Sequence, residues 1–306
     1  MWISSLESAR YQAAVEGRTG IDCFDHWAAE LVETGYLHNH ARMWFASIWI
    51  FTLNLPWQLG AGFFLTHLLD GDPAANTLSW RWVGGLHTKG KHYLARADNI
   101  ARCTQGRFNP VGQLNEFATP LWEEGEHPMA PLVSPATWPN PRRYGLLISE
   151  EDVHVDSLPL PTPPAALALL PVAAKCGPVD LSSQVVAFRT ALMQDAAAAA
   201  TAEATAAVAA TAASSEAPCA TLAERSARHL IDWAQSEGLD AVVIAAPPVG
   251  PTRDFWLSVM HELNAAGLDT HTVTRRYDQL VWPHATAGFF KLKKKIPKIL
   301  TALNLQ

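Results

Sequence analysis

The chain has 306 residues, 49% hydrophobic and 17% charged, which suffices for one large core or two ordinary domains. A formal net charge of −6 gives no overall footprint for nucleic acid and leaves only a local basic face to consider. The four cysteines, at 23, 103, 176 and 219, form no CxxC pair; that fits neither a zinc site nor a readable disulfide framework and points to a reducing cytoplasm. The longest charge-free apolar run, Met43 to Leu53, is too short to span a bilayer, and no cationic and apolar leader opens the chain. Nine of twelve tryptophans fall before residue 140, so any indole chemistry belongs to the first half.

From Asp22 to Val83 apolar residues recur at three- and four-residue spacing, which predicts consecutive helices broken at Thr34-Gly35, Pro56 and Gly71. Asp72-Pro73 reads as a helix start, with aspartate as cap and proline in the first turn. Prolines crowd between Phe117 and Tyr144 and mark a linker. Beyond it come a strand at Tyr144 to Ser149, a helix at Leu222 to Glu237, a strand at Ala241 to Ala246, a helix at Asp254 to Ala266 and a strand near Thr270 to Thr274. That alternation predicts an α/β unit with a parallel sheet, the domains running 1–118, a linker 119–143, and 144–306. The Ala-rich stretch 195–220 has no wide aliphatic stripe and reads as an exposed helix or a disordered insertion.

Asp72, Asn76 and Trp80 recur every four residues and share one helix face; Asn39, Arg42 and Met43 share a face of an earlier helix, with Asp70 as a possible partner for Arg42. Polar faces in an apolar region are costly unless satisfied, so they mark either a buried network with capping or a ligand pocket. Other motifs rank lower. Gly85 to His92 fits GxxxxGK but lacks the final Ser or Thr and follows no strand, His38, His40 and His67 do not share a face suited to a metal, and Lys291 to Lys298 reads as a solvated basic face.

The run Thr19-Gly20, Gly35 to Met43, Ala46-Ser47, Leu69 to Asn76 and Trp80-Arg81-Trp82 resembles, in residues, order and spacing, the FAD-binding domain of DNA photolyases and cryptochromes. The fold this implies is a mainly α-helical photolyase-like FAD-binding domain followed by a smaller α/β, Rossmann-like domain. The resemblance implies FAD as cofactor, with Asn39, Arg42, Asp70, Asp72 and Asn76 around it, Arg42 paired with Asp70, and Asn76 facing the flavin N5. Removing Arg42 is then expected to leave Asp70 buried and unpaired. Trp80 and Trp57 match the first two members of an electron relay whose third falls at Ser4, with Trp2 nearby. Met43, Trp82 and His40 match positions that meet substrate, His40 standing where many photolyases carry a phosphate-contacting arginine. The implied activity is light-driven repair of pyrimidine dimers in UV-damaged DNA, that of a deoxyribodipyrimidine photolyase-like lyase. A cryptochrome-like blue-light photosensor and a flavin-free remnant are the alternatives. The first residues enter the family pattern partway through, so a fragment, a late start codon or a reduced variant is expected; Leu222 to Pro283 resembles the later part of a photolyase antenna domain and Tyr144 to Leu170, more weakly, its first strand and helix, so a permuted order with the helical domain first is expected.

Overall fold

A computed structural model describes residues 5–125, 127, 132, 143–209, 218–286 and 288–305. Trp2, Ser4, most of the Pro-rich linker and residues 210–217 lie outside them. The chain forms two compact units: residues 1–125 with 173–188, and residues 126–172 with 189–306. The first is helical and the second α/β, as the periodicities predict.

Unit 1 comprises α1 (Ser5–Val15), α2 (Asp22–Thr34), α3 (Asn39–Ser47), α4 (Trp57–His67), α5 (Pro73–Gly84) and α6 (Ala97–Cys103). Predicted breaks fall where local chemistry requires them. Gly35 terminates α2 at a left-handed φ of 69°. The Asp72 side chain accepts from the Ala75 backbone N–H and Pro73 opens α5. The apolar run beyond α3 continues as a π-helical turn, Ile48–Thr52, and buries Ile48 to Phe51. Such a turn has no periodicity signal, and the sequence gives no warning of it.

The core of this unit is aromatic. Phe24 and Phe45 stack at 4.2 Å, and Trp49 and Trp80 are almost fully buried among Phe45, Phe63 and Phe64. Gly60 on α4 makes room for this: a Cβ there would meet Trp80 Cη2 at 2.3 Å, so only glycine admits the indole. Residues 173–188 join this unit through the short hairpin β3 (Lys175–Cys176) and β4 (Val179–Asp180). Thr66 Oγ1 donates to the Asp180 carbonyl at 2.9 Å, and Ser182 N–H donates to the Thr66 carbonyl at 2.9 Å.

Unit 2 is a parallel five-stranded sheet of β1 (Tyr144–Ile148), β2 (Ala166–Leu169), β5 (Cys219–Thr221), β6 (Ala241–Ala245) and β7 (Asp269–Val273), in the order β5-β2-β1-β6-β7. β1, β2 and β6 are wholly buried, as strands covered on both faces must be. Its helices are α8 (Ala227–Ser236), α9 (Pro251–Ala265), α10 (Arg276–Val281), α11 (Phe289–Lys293) and α12 (Ile296–Ala302), together with the part of α7 (Ser183–Ala209) that follows residue 188.

Two expectations are corrected here. Between β1 and β2 there is only a 3-10 turn, Val155–Ser157, where the resemblance of Tyr144 to Leu170 to the first strand and helix of a photolyase antenna domain implies a helix. The Ala-rich stretch is neither exposed throughout nor a simple insertion: α7 runs on to Ala209, Ala196, Ala197 and Ala200 are buried with Met193, and Cys219–Thr221 forms an edge strand. Alanine buries little area, yet its single methyl lets a helix approach closely, so an aliphatic stripe is not required for packing.

Candidate functional site

α3 and α5 lie side by side, and between them is a cavity of about 250 Å³. Eight residues singled out from sequence line it: Asn39, Arg42 and Met43 from α3, Asp70 and Asp72 from the loop before α5, and Asn76, Trp80 and Trp82 from α5. Spacing of three and four residues turns each set toward the other helix. Phe64, Ala46, Ser79 and Val83 also line it and were not anticipated. The signal was available, since Ala46 is one turn beyond Met43 and Ser79 and Val83 are one and two turns beyond Asn76.

Arg42 holds the mouth. Its Nη2 donates to both carboxylate oxygens of Asp70, at 2.9 and 3.1 Å, and its Nε donates to the Leu37 carbonyl at 2.8 Å. The Asp70 side chain is 59% exposed and that of Arg42 25%, which corrects the expectation that loss of Arg42 would strand a buried charge. Asp72 is engaged in capping α5, so part of its role is structural. Asn76 is 9% exposed and donates from Nδ2 to the Ala61 carbonyl at 2.9 Å, which fixes the amide and leaves its oxygen as an acceptor. The Asn39 amide lies 3.9 Å from the Met43 sulfur.

Trp80 forms the deep wall, 2% exposed, its Nε1 buried without a hydrogen-bond partner among the described residues. Trp82 is 40% exposed and stacks on Tyr93 at 5.7 Å. Trp57 and His40 are not in the lining. Trp57 carries the Arg81 guanidinium 5.8 Å above its ring; Arg81 is ion-paired with Glu123, and that hydrogen bond raises its pKa further. His40 is exposed and stacks on Trp44 at 5.6 Å, while His38 accepts from the His40 N–H and caps α3. No group of three or more His, Cys, Asp or Glu suited to a metal occurs among the described residues, and no described helix is long and apolar enough to cross a membrane. Gly85 to His92 closes α5 and turns away from it, with Gly85 at a φ of 83°.

The donor set suits part of a flavin dinucleotide. A cation, two carboxylates, a fixed amide and an indole wall surround a space somewhat below the ~300–1,000 Å³ usual for small-molecule sites, room for a ring system but not for a whole dinucleotide.

Comparison with known proteins gives the same direction. Residues 1–119 match the family model described as the FAD binding domain of DNA photolyase. The deoxyribodipyrimidine photo-lyase of Vibrio cholerae is 32% identical over 120 residues, 38% of this chain and 23% of that protein. That of Escherichia coli is 38% identical over 109 residues, covering 36% and 21%, and cryptochrome-2 of Arabidopsis thaliana is 36% identical over 130 residues, covering 40% and 21%. The chain thus spans about a fifth to a quarter of the length of these curated relatives. Through its first 119 residues the chain is thus similar to the FAD binding domain that photolyases and cryptochromes share.

Proposed function

We propose that the cavity between α3 and α5 holds the ring system of FAD and that the chain acts as a light-driven photolyase-like lyase on UV-damaged DNA, in a reducing cytoplasm. The observation that carries this reading is the convergence of eight residues, Asn39 to Trp82, on one cavity in the segment that matches an FAD binding domain. When bound, FAD supplies visible-light absorption and the electron that opens a pyrimidine dimer.

The protein's own residues do the rest. Asn76, locked by the Ala61 carbonyl, presents an amide oxygen to the ring edge, and Arg42 and Asp70 set a fixed dipole at the mouth. Trp80, almost fully buried, excludes water from that wall of the cavity and would place an oxidisable indole against a bound ring. Met43 and Trp82 line the same cavity on the exposed side, where a base rotated out of the duplex would stack. His40 lies outside it on the same helix, a phosphate contact only where DNA runs along the α3 surface.

The test is titration of the full chain with FAD, read by flavin fluorescence and by co-elution on gel filtration, followed by illumination with a dimer-containing oligonucleotide. Retained flavin with restored pyrimidines supports repair, and Trp82→Ala should lose the lesion preference while keeping flavin, since base–aromatic stacking contributes ~1–3 kcal/mol. Retained flavin that is photoreduced without repair would favour the photosensor reading, to which the cryptochrome relatives point equally. No retained flavin would leave a scaffold without cofactor.

A further inference from the structure

Trp80 forms the deep wall of the cavity, and its ring does not end in phenylalanine alone. It meets the indole of Trp49 edge-on at a centroid separation of 6.2 Å, and Trp49 meets Tyr11 of α1 edge-on at 5.9 Å. Trp80 and Trp49 are 2% and 0% exposed, whereas Tyr11 is only half-buried. The other rings against this pair, Phe24, Phe45, Phe63 and Phe64, cannot be oxidised at potentials that indole and phenol reach. We propose that Trp80, Trp49 and Tyr11 form an electron-transfer path from the cavity to the surface of unit 1, ending in a tyrosine and bypassing Trp57. Its use by FAD rests on the function proposed above; the path itself does not.

Proton placement drives the direction. An indole that has lost an electron stays strongly oxidising while it keeps its N–H. Trp80 Nε1 is buried without a partner among the described residues, and Trp49 Nε1 donates to the Pro56 carbonyl at 3.0 Å, a base too weak to take the proton. Both therefore pass the hole on. Trp80 gives one electron to an oxidant in the cavity, which FAD would supply under illumination in the reading above. Trp49 gives one electron to Trp80 and restores it, and Tyr11 gives one to Trp49. The Tyr11 phenol then releases its proton to water, and a solvent thiol returns a hydrogen atom to the resulting phenoxyl radical.

Trp57 is the poorer station. It makes no ring contact with Trp80 among the described residues, and the guanidinium of Arg81 over its face opposes a positive hole there. The competing exit is Trp82 to Tyr93, stacked at 5.7 Å.

Pulse radiolysis decides between them on the full chain without flavin, because azide radicals oxidise indoles in preference to other side chains. Indolyl absorbance should decay as phenoxyl absorbance grows. Tyr11→Phe keeps the ring and removes only the hydroxyl at a half-buried position, so it should fold and lose most of that growth. Trp57→Phe and Tyr93→Phe should leave it unchanged, and a folded Trp49→Phe, checked by circular dichroism, should slow it. Undiminished phenoxyl growth in Tyr11→Phe, or its loss in Tyr93→Phe, overturns the path. With FAD and light, electron paramagnetic resonance of chain carrying ring-deuterated tyrosine should show a narrowed tyrosyl signal that Tyr11→Phe abolishes; a bound flavin with no such signal also overturns it. A chain that takes up no FAD counts against the flavin reading alone, and the radiolysis result still judges the path.

Discussion

Gly60→Ala tests how tightly α4 and α5 define the cavity wall. The added methyl would sit 2.3 and 2.5 Å from Trp80 Cη2 and Cζ3, and 3.0 Å from Trp49 Cε2, so the Trp80 indole must retreat by more than 1 Å to reach ordinary contact. Overpacking of this kind costs ~1–3 kcal/mol. Replacing a helical glycine by alanine returns up to ~1 kcal/mol through helix propensity. Gly62 on the same helix supplies the control, since a Cβ there would meet its nearest atom, Val179 Cγ2, at an unstrained 3.6 Å. Helix propensity is common to both substitutions, and the difference between them isolates the packing penalty. Urea unfolding followed by circular dichroism should therefore place Gly60→Ala ~1–3 kcal/mol below Gly62→Ala. FAD titration should show weakened binding only in Gly60→Ala, because Trp80 is a wall of the cavity. Equal stability of the two variants would refute the close fit of Trp80 over Gly60.

Arg42→Ala should cost no more than ~1 kcal/mol of stability, since the Asp70 carboxylate is largely solvated, yet should weaken FAD in a fluorescence titration. Burial lowers the His67 pKa below its ordinary 6.5, so its contribution is complete above that value and is lost as pH falls through the lowered one; the unfolding midpoint should drop on acidification, and His67→Gln should blunt the drop. In unit 2 the ion pair of Arg225 with Glu150 is nearly buried, and Arg225→Met should destabilise by ~3–5 kcal/mol in thermal melts, with Glu150→Gln added to it recovering part of the loss.

Helix faces were legible wherever chemistry recurs at helical spacing. Asp72, Asn76 and Trp80 could be placed together because four-residue spacing and a capped start leave one geometry. Trp49 could not be linked to Trp80 or Tyr11 in this way, because those contacts depend on how α1, α4 and α5 pack and on a π-helical turn without a sequence signature. The exposure of the mouth is hidden for a related reason: spacing pairs Arg42 with Asp70, but pairing does not reveal depth. In unit 2 the apolar strands β1 and β6 were plain, whereas Ala166 to Leu169 lies between proline-rich stretches and gives too short a signal to separate strand from helix. The burial of Ala196, Ala197 and Ala200 against the sheet was invisible because alanine suits exposed and packed helices equally.

The return of residues 173–188 to the helical unit bears on how that unit comes into being. On the ribosome, the segment that matches the FAD binding domain ends at residue 119, but the Thr66 hydroxyl and carbonyl find Asp180 and Ser182, and Gly62 finds Val179, only after some sixty further residues have been made. The helical unit therefore finishes folding while the first two strands of the α/β sheet are already emerging. A gene cut at residue 119 would produce helices whose α4 flank has lost its cover, and a dissection that keeps the two units whole must carry the hairpin of residues 175–180 with the helices.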